Sequence, residues 1–445
     1  MNSPFTIVVG LGVTGFSCVR FLKKHHISVL LMDTRDNPSQ LDAFKKEFPD
    51  ITCITGKLDD DVLDKAEEII ISPGLSLKTP SIARQLEKGK SVIGDIELFT
   101  RFVQKPVIAI TGTNAKSTVT TLIGEMAIAA GLNVKVGGNL GIPVLDMCDD
   151  EKTDLFVLEL SSFQLEVTFS LKPRVATILN IAPDHMDRYV TLDDYIAAKQ
   201  RIYQNTEHAV WNRDDACSIP VNHCEGMSFG LSAPHQNAFG MLEEQGKKYL
   251  AFEQQRLLDV KELPVIGRHY QANALASLAI GHLFGFSMKT MLDTLRTFKG
   301  LPHRCELITE KKKVRWYNDS KGTNVGATIA AIDGVGPEII GKIILIAGGI
   351  GKNADFSPLL IPVKKYVRKV ILIGEAAAIL SSIFKGHVEC EHVDSMSAAV
   401  AAANNAAHEN DCVLLSPACA SFDMFKNFEH RGEVFRQAVL KQVSI

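Results

Sequence analysis

The chain has 445 residues, 46% of them hydrophobic and 22% charged. That composition excludes a disordered, collagen-like or coiled-coil chain, and the length suits about three domains of roughly 150 residues each. With 48 Lys and Arg against 51 Asp and Glu, the net charge of −3 lacks the basic excess of a nucleic-acid binder, which lives on phosphate contacts, while a local site for one phosphorylated small molecule stays open.

Taken from the N-terminus, Thr6–Val9 is a β-branched apolar run that leads into Gly10-x-Gly12-x-x-Gly15 and a helical pattern to about Lys24. The spacing predicts strand, tight turn and helix, with the helix start facing a phosphate. A second strand, Ser28–Met32, ends at Asp33-Thr34-Arg35. An acid there suits a ribose hydroxyl, as in nicotinamide-dinucleotide sites, and Arg35 beside it suits a phosphate or a uracil instead. Glu68–Ile71 ends at Ser72-Pro73-Gly74, and Ser91–Ile93 is a further short strand. A boundary falls near Gly94.

The next unit begins with Val107–Ile110 and the loop Gly112-Thr113-Asn114-Ala115-Lys116-Ser117-Thr118, which opens a helix to about Ala130. Backbone N–H groups of such a loop cradle phosphates, Lys116 reaches the terminal oxygens and the Ser117 hydroxyl suits Mg²⁺. The loop departs from a strict Walker A pattern, because Ile110 stands six positions before the lysine. Leu155–Leu158 ends at Glu159, a strand-end carboxylate suited to Mg²⁺. Val175–Leu179 is followed by Asp184-His185-Met186-Asp187-Arg188, where His185 suits a metal or a phosphate. Lys199, one helical turn after Tyr195, and Asn273, at the start of a helix to Phe284, read by themselves as a solvated lysine and a cap. Residues 218–265 are polar and turn-rich, consistent with small strands.

A second boundary falls near Gly300. Beyond it, Val314–Tyr317 leads to Asp319-Ser320-Lys321-Gly322-Thr323, Lys342–Ile346 to Gly348-Gly349-Ile350-Gly351-Lys352, Val370–Ile373 to Gly374, and Cys412–Leu415 to Ser416 and Ser421. Ligands in open α/β sheets sit at the carboxyl ends of strands. Lys321 and Lys352, with hydroxyls at Thr323 and Ser421, therefore suit an amine substrate that carries carboxylates. The expected fold is α/β in three domains: a Rossmann-like domain over 1–94, a P-loop ATPase-like domain with a mostly parallel sheet over 95–299, and a Rossmann-like α/β domain over 300–445.

No apolar run approaches the roughly 18 residues that a membrane helix needs, and the N-terminus lacks the features of a secretory signal. Nine scattered Cys with no C-x-x-C pair suit reduced thiols in a cytoplasm.

Together these blocks resemble the Mur ligases, ATP-dependent amide-forming enzymes of peptidoglycan synthesis, along essentially the whole chain: GLGVTG, DTR, SPG, GDIELF, GTNAKST, GGNLG, ELSSFQLE, DHMDRY, YIAAK, GLPHR, NDSKGTN, GKNADFSPL and LLSPACASFDMFKNFEHRG. The first and last point to the D-glutamate-adding branch, and the DNP-type motif of the diaminopimelate-adding branch is absent. The resemblance implies that D-glutamate is joined to UDP-N-acetylmuramoyl-L-alanine through an acyl phosphate, in the cytoplasm, by a monomer whose partners are small molecules only, with domain closure over the active site. It implies UDP contacts from Val13, Thr14, Asp33, Thr34, Arg35, Ser72 and Gly74, and a sugar-nucleotide contact from Asn139. ATP would meet residues 112–118 of the phosphate loop, with Asn273, His303, Arg304 and Asp319 lining adenosine. D-glutamate would meet Lys321, Thr323, Lys352, Ser421 and Phe428. Two Mg²⁺ are implied, one on Ser117 and Glu159 and one on His185 and a carbamate of Lys199, with Lys116, His185 and Lys199 catalytic.

Three positions depart from the family pattern. Ala115 replaces a glycine, Tyr270 stands where Asn is frequent, and Ile350 stands where a polar residue is common. Two other readings remain open on the residues alone. A nicotinamide-dependent oxidoreductase leaves the second phosphate loop unexplained, and a non-catalytic nucleotide switch would bind ATP without consuming it.

Overall fold

A computed structural model describes residues 4–222 and 224–443. By compactness the chain divides into one unit of residues 1–180, 193–228 and 277–291, and a second of 181–192, 229–276 and 292–445.

The first unit opens with five parallel strands: β1 (Thr6–Val9), β2 (Val29–Met32), β3 (Cys53–Ile54), β4 (Glu68–Ile71) and β5 (Ser91–Ile93), in the order β3-β2-β1-β4-β5. β1 lies at the centre, and Ile7, Val8 and Val9 are fully buried, as expected of a parallel strand covered on both faces. The same unit holds β6 (Val107–Thr111), β7 (Val134–Gly138), β8 (Leu155–Glu159), β9 (Val175–Ile178) and β10 (His208–Asn212), which run parallel as β7-β8-β6-β9-β10. Ile108, Ala109 and Ile110 on its central strand are fully buried too. The helix Lys116–Ala129 follows β6 and buries Val119, Leu122, Ile123 and Met126.

After β11 (Gly226–Phe229), the second unit carries an antiparallel meander of β12 (Ala238–Glu244), β13 (Lys247–Phe252) and β14 (Gln255–Asp259). It also carries a six-stranded sheet: β15 (Glu306–Lys311), β16 (Val314–Asn318), β17 (Ile343–Gly348), β18 (Val367–Ile373), β19 (Glu389–His392) and β20 (Cys412–Leu415), in the order β15-β16-β20-β17-β18-β19. Only β15 runs antiparallel to its neighbour. One face packs under Leu345, Phe356, Leu372 and Phe384, the other under Trp316, Ile346, Val400 and Phe435. Among the described residues no helix is long and apolar enough to cross a membrane, and all nine cysteines are unpaired.

The structure adds strands that the sequence reading passed over: β3, β7, β10, β15 and β19. β3 has two residues, β7 ends in two glycines, and β15 and β19 carry charges on edge strands. These four lack the apolar run that marks a buried parallel strand, whereas β10 holds a short one, Ala209-Val210-Trp211.

Within the first unit, one carboxylate joins the helix Asp95–Phe102 to the chain after the helix Ser162–Glu166. Glu97 accepts from the N–H groups of Phe169 (2.7 Å) and Ser170 (2.9 Å) and from the Ser170 hydroxyl (2.7 Å). Glu97→Ala orphans two N–H groups, at about 1–3 kcal/mol for each one left dry. We expect a loss of about 2–3 kcal/mol in urea unfolding; an unchanged midpoint would mean that water replaces the carboxylate.

Candidate active site

A cavity of about 590 Å³ in the first unit is lined by Gly12, Val13, Thr14, Asp33, Thr34, Arg35, Ser72, Gly74, Asn139 and Gln164, among others. It brings together all eight residues singled out for the uridine substrate. The first strand order explains why: β2, β1 and β4 are neighbours, so the turns that follow them meet at one edge.

Asp33 sits in that edge as a brace. Its carboxylate accepts from Leu11 N (2.6 Å), Arg35 N (2.8 Å) and both Nε (2.9 Å) and Nη2 (2.7 Å) of Arg35. Burial alone would raise this carboxyl, but those bonds outweigh it and hold it below its ordinary value. Both oxygens are therefore committed, Oδ2 to the glycine turn and Arg35, and Oδ1 to Arg35, whereas a ribose-binding acid keeps one for the sugar. The dinucleotide reading of Asp33 does not match this arrangement. Two of the glycines differ in purpose. A Cβ on Gly15 would lie 1.8 Å from the Gly10 carbonyl oxygen, while a Cβ on Gly12 would meet nothing within 4 Å.

The phosphate loop lies at the end of β6, between β8 and β9. Asn180, just past β9, clasps it: Asn180 O accepts from Thr113 N (2.8 Å), its Oδ1 from Asn114 N (2.9 Å), and its Nδ2 donates to Asn114 O (3.1 Å). Gly112 has φ +153° and Ala115 φ +68°, so Ala115 holds a left-handed conformation that favours glycine. No side chain caps the helix Lys116–Ala129, which leaves its N-terminus suited to an anion. Ser117 and Thr118 are buried in its first turn. The Lys116 ammonium donates to Gly112 O and Thr113 O, both at 2.9 Å.

Lys199 does not behave as a solvated helix lysine. It is 2% exposed, and its Nζ donates to Gly112 O (2.9 Å) and Thr111 Oγ1 (3.3 Å) and lies 4.7 Å from the Tyr195 ring centroid. Tyr195 OH in turn bonds Thr113 Oγ1 at 3.1 Å. The helix Leu192–Gln200 thus delivers two side chains to the phosphate loop.

Glu159 ends β8 level with Ile110. One oxygen accepts from Asn139 Nδ2 at 2.8 Å, and the other, Oε2, is buried with no hydrogen-bond partner among the described residues. A buried carboxylate oxygen lacking a donor suits a hard cation. The donor set fits Mg²⁺ only with help, because the described residues contain no group of three or more His, Cys, Asp or Glu able to hold a metal by themselves. Hydroxyl and phosphate oxygens would have to complete the shell. Asn139 belongs to both places: it lines the cavity and holds Glu159.

In the second unit, His185 is left-handed (φ +58°) and follows Asp184, whose carboxylate accepts from His185 N (2.9 Å) and Asn324 Nδ2 (3.2 Å). Asn273 lies within the helix Arg268–Phe284 and is buried, so the expectation of a capping position is corrected. Tyr270 is buried and stacks on Phe298 with the rings 1° from parallel, so its ring serves packing.

The remaining residues gather because β16, β20 and β17 are adjacent. Their following loops are tied together: Ala418 N donates to Gly322 O, and Ile350 and Ala420 exchange two backbone bonds, all at 2.9 Å. Ile350 therefore acts through its backbone. Lys352 is left-handed (φ +51°), Ser421 is buried, and Thr323 donates its N–H to Lys321 O. The Lys321 Nζ lies 3.8 Å from the Phe428 ring centroid, and His303 meets the same ring edge-on at 6.2 Å. Burial lowers the His303 imidazole.

Asp319 accepts from Ser416 Oγ (2.7 Å) and Cys305 N (3.2 Å); burial pushes its carboxyl up to about 7, against those bonds and the pull of Arg304 and Arg431. Arg431 escaped the sequence reading. Fully buried, it donates to Ser320 Oγ (3.0 Å), Ser320 O (2.8 Å) and Cys419 O (3.1 Å), and burial lowers it to about 10. The only hint was its place in the FEHRG run, which has no charge pattern of its own.

Three family models match the chain: the N-terminal domain of MurD-like Mur ligases over residues 5–94, the Mur ligase middle domain over 110–281 and the glutamate ligase domain over 303–419. The chain is 52% identical to the UDP-N-acetylmuramoylalanine–D-glutamate ligase of Pseudomonas savastanoi over 442 residues, covering 99% of this chain and 98% of that one. It is 49% identical to the enzyme of the same name from Legionella pneumophila, covering 99% of each. The pseudomurein peptide ligase of Methanothermus fervidus shares the fold, with a TM-score of 0.61, 20% identity and coverage of 98% and 99%.

Three outcomes test the geometry. Gly15→Ala should destabilise the protein by about 1–3 kcal/mol through overpacking, while Gly12→Ala keeps the melting point and weakens uridine-nucleotide binding; the reverse pattern would refute the assignment of the cavity. Ala115→Gly should raise stability by about 1 kcal/mol, the left-handed penalty less the added chain entropy of glycine; a loss would contradict the φ found there. Asp319, with its folded value above the unfolded one, holds a proton that the unfolded chain releases. Stability should therefore fall as pH rises from about 4 to about 7, and Asp319→Asn should flatten that slope; an identical pH profile in the variant would contradict the raised value.

Proposed function

Since the chain belongs to the Mur ligase family, we propose that it joins D-glutamate to UDP-N-acetylmuramoyl-L-alanine at the expense of ATP, as a cytoplasmic step of peptidoglycan precursor synthesis. The observation that carries this reading is Asn139. A uridine-sized cavity and the carboxylate beside a phosphate loop share that one side chain, so a substrate bound in the first would end near the second.

The carboxylate of the L-alanyl group is a poor acyl donor until one of its oxygens becomes a leaving group. Its attack on the γ-phosphorus of ATP gives an acyl phosphate and ADP. The amine of D-glutamate then adds to the carbonyl, and the tetrahedral intermediate collapses with loss of inorganic phosphate. In this reading Val13, Thr14, Asp33, Thr34, Arg35, Ser72 and Gly74 hold the UDP group, with Asp33 acting through the turn it braces. Lys116 and Thr118 hold the ATP phosphates. Asn273, His303, Arg304 and Asp319 line adenosine, and Lys321, Thr323, Lys352, Ser421 and Phe428 take D-glutamate.

Ser117 and Glu159 would hold one Mg²⁺, with His185 and Lys199 holding a second. Bound there, Mg²⁺ supplies positive charge that offsets the phosphate oxygens. An ammonium repels a cation, so Lys199 serves only after its neutral amine adds CO₂ and loses a proton, giving a carbamate. What supports this is its burial against Gly112 and Thr111, where a surface lysine would not be.

Phosphate release with ATP, UDP-N-acetylmuramoyl-L-alanine and a panel of L- and D-amino acids tests the substrate assignment, which requires turnover with D-glutamate. Lys116→Ala should abolish turnover while uridine-substrate binding survives. Lys352→Ala should raise KM for D-glutamate far more than KM for ATP, a charge-assisted contact being worth roughly 1.5–3 kcal/mol; equal effects would assign Lys352 elsewhere. Lys199→Ala should be inactive and partly rescued by short carboxylic acids. Full activity without rescue, or an unmodified amine in the intact mass of active enzyme, would overturn the carbamate.

A further inference from the structure

The second unit contains a cavity of about 420 Å³ that none of these roles uses, walled by the β12–β13 hairpin, the chain after β14 and the first turns of the helix Arg268–Phe284. We propose that it binds a small phosphorylated organic molecule.

Four cations line it, Lys247, Lys248, Lys261 and Arg268, and none of them forms an ion pair among the described residues. Three carboxylates line it as well, but they do not neutralise these cations by contact. Asp259 spends one oxygen on the N–H of Lys261 (2.9 Å), Glu243 stands across the hairpin from Lys248 without reaching an ion pair, and Glu338 lines the cavity without an ion pair among the described residues. Four cations against three carboxylates leave the lining with a net charge of +1, which favours an anion there. Ammonium and guanidinium groups also offer many donors at varied angles, which suits the several oxygens of a phosphate.

Gln271 supplies an independent observation. It is 7% exposed and lines the cavity, yet its side-chain amide finds no hydrogen-bond partner among the described residues. The amide opens on the cavity rather than being sealed in the interior, so an occupant could bond it there. Met241 and Val260 beside it form apolar wall. The arrangement therefore suits an anion attached to a moiety with a hydroxyl or carbonyl. At about 100° per residue, positions 271 and 273 of a helix face nearly opposite ways, so the cavity lies on the other side of this helix from Asn273 and is separate from the residues assigned to adenosine.

The test is calorimetric titration of the full chain, already saturated with UDP-N-acetylmuramoyl-L-alanine and a non-hydrolysable ATP analogue. Inorganic pyrophosphate and ribose 5-phosphate are the probes. Both should bind at one additional site, more weakly as salt is raised. The exposed double variant Lys247→Glu/Lys261→Glu should lose at least about tenfold in affinity for both, with its melting point and its turnover without probe unchanged. Gln271→Met keeps the bulk and removes the amide, so it should weaken ribose 5-phosphate by about threefold or more and leave pyrophosphate unaffected. No additional heat at millimolar probe, insensitivity to salt, or full affinity in the charge-reversed variant would overturn the proposal. If Gln271→Met fails to fold, the charge-reversed variant still decides.

Discussion

Burial of the parallel strands on both faces is the constraint from which the rest follows. β1, β6 and β17 are fully apolar along their central residues and nearly inaccessible to water. Polar chemistry cannot be placed along such strands without leaving unpaired groups in a dry interior. It is displaced to the carboxyl edges, where the chain leaves the sheet and turns. Every residue assigned to nucleotide, metal or amino acid in the two units lies at such an edge or on a helix packed against one.

Edge loops need internal bracing, and each has its own device. The first glycine turn is held by a carboxylate whose oxygens are both committed. An asparagine that mimics a neighbouring strand clasps the phosphate loop. The loops after β16 and β20 are joined by a buried guanidinium that donates to neutral oxygens. Burying a charge is expensive, and Arg431 tolerates it by satisfying several donors at once with Asp319 and Asp423 near enough to attract it. Such bracing fixes backbone N–H groups and carboxylates before substrate arrives, which is where charge stabilisation in a transition state gains most.

The turns were legible in the sequence because their composition is constrained by sterics. Gly10, Gly12 and Gly15 mark a strand-to-helix corner, and the 112–118 run marks a phosphate loop, whatever the rest of the chain does. Strands flanked by such corners were readable from their apolar runs. Edge strands such as β15 and β19 were not, since charge on a half-exposed strand looks like loop. Lys199 was legible only through family resemblance: nothing in Tyr195-Ile-Ala-Ala-Lys199 tells a buried lysine from a solvated one, because its burial is set by the packing of its helix beside β6. Arg431 and the bracing role of Asp33 escaped for the same reason. Each depends on partners far away in sequence, and no local pattern reports them.

The central claim is that an oxygen of the substrate carboxylate becomes the bridge to phosphorus before the amide forms. Substrate labelled with ¹⁸O in the L-alanyl carboxylate, turned over with ATP and D-glutamate, tests it directly by mass spectrometry of the released phosphate. One labelled oxygen per phosphate in each turnover is the predicted result. Unlabelled phosphate alongside amide product would contradict an acyl phosphate and the account built on it.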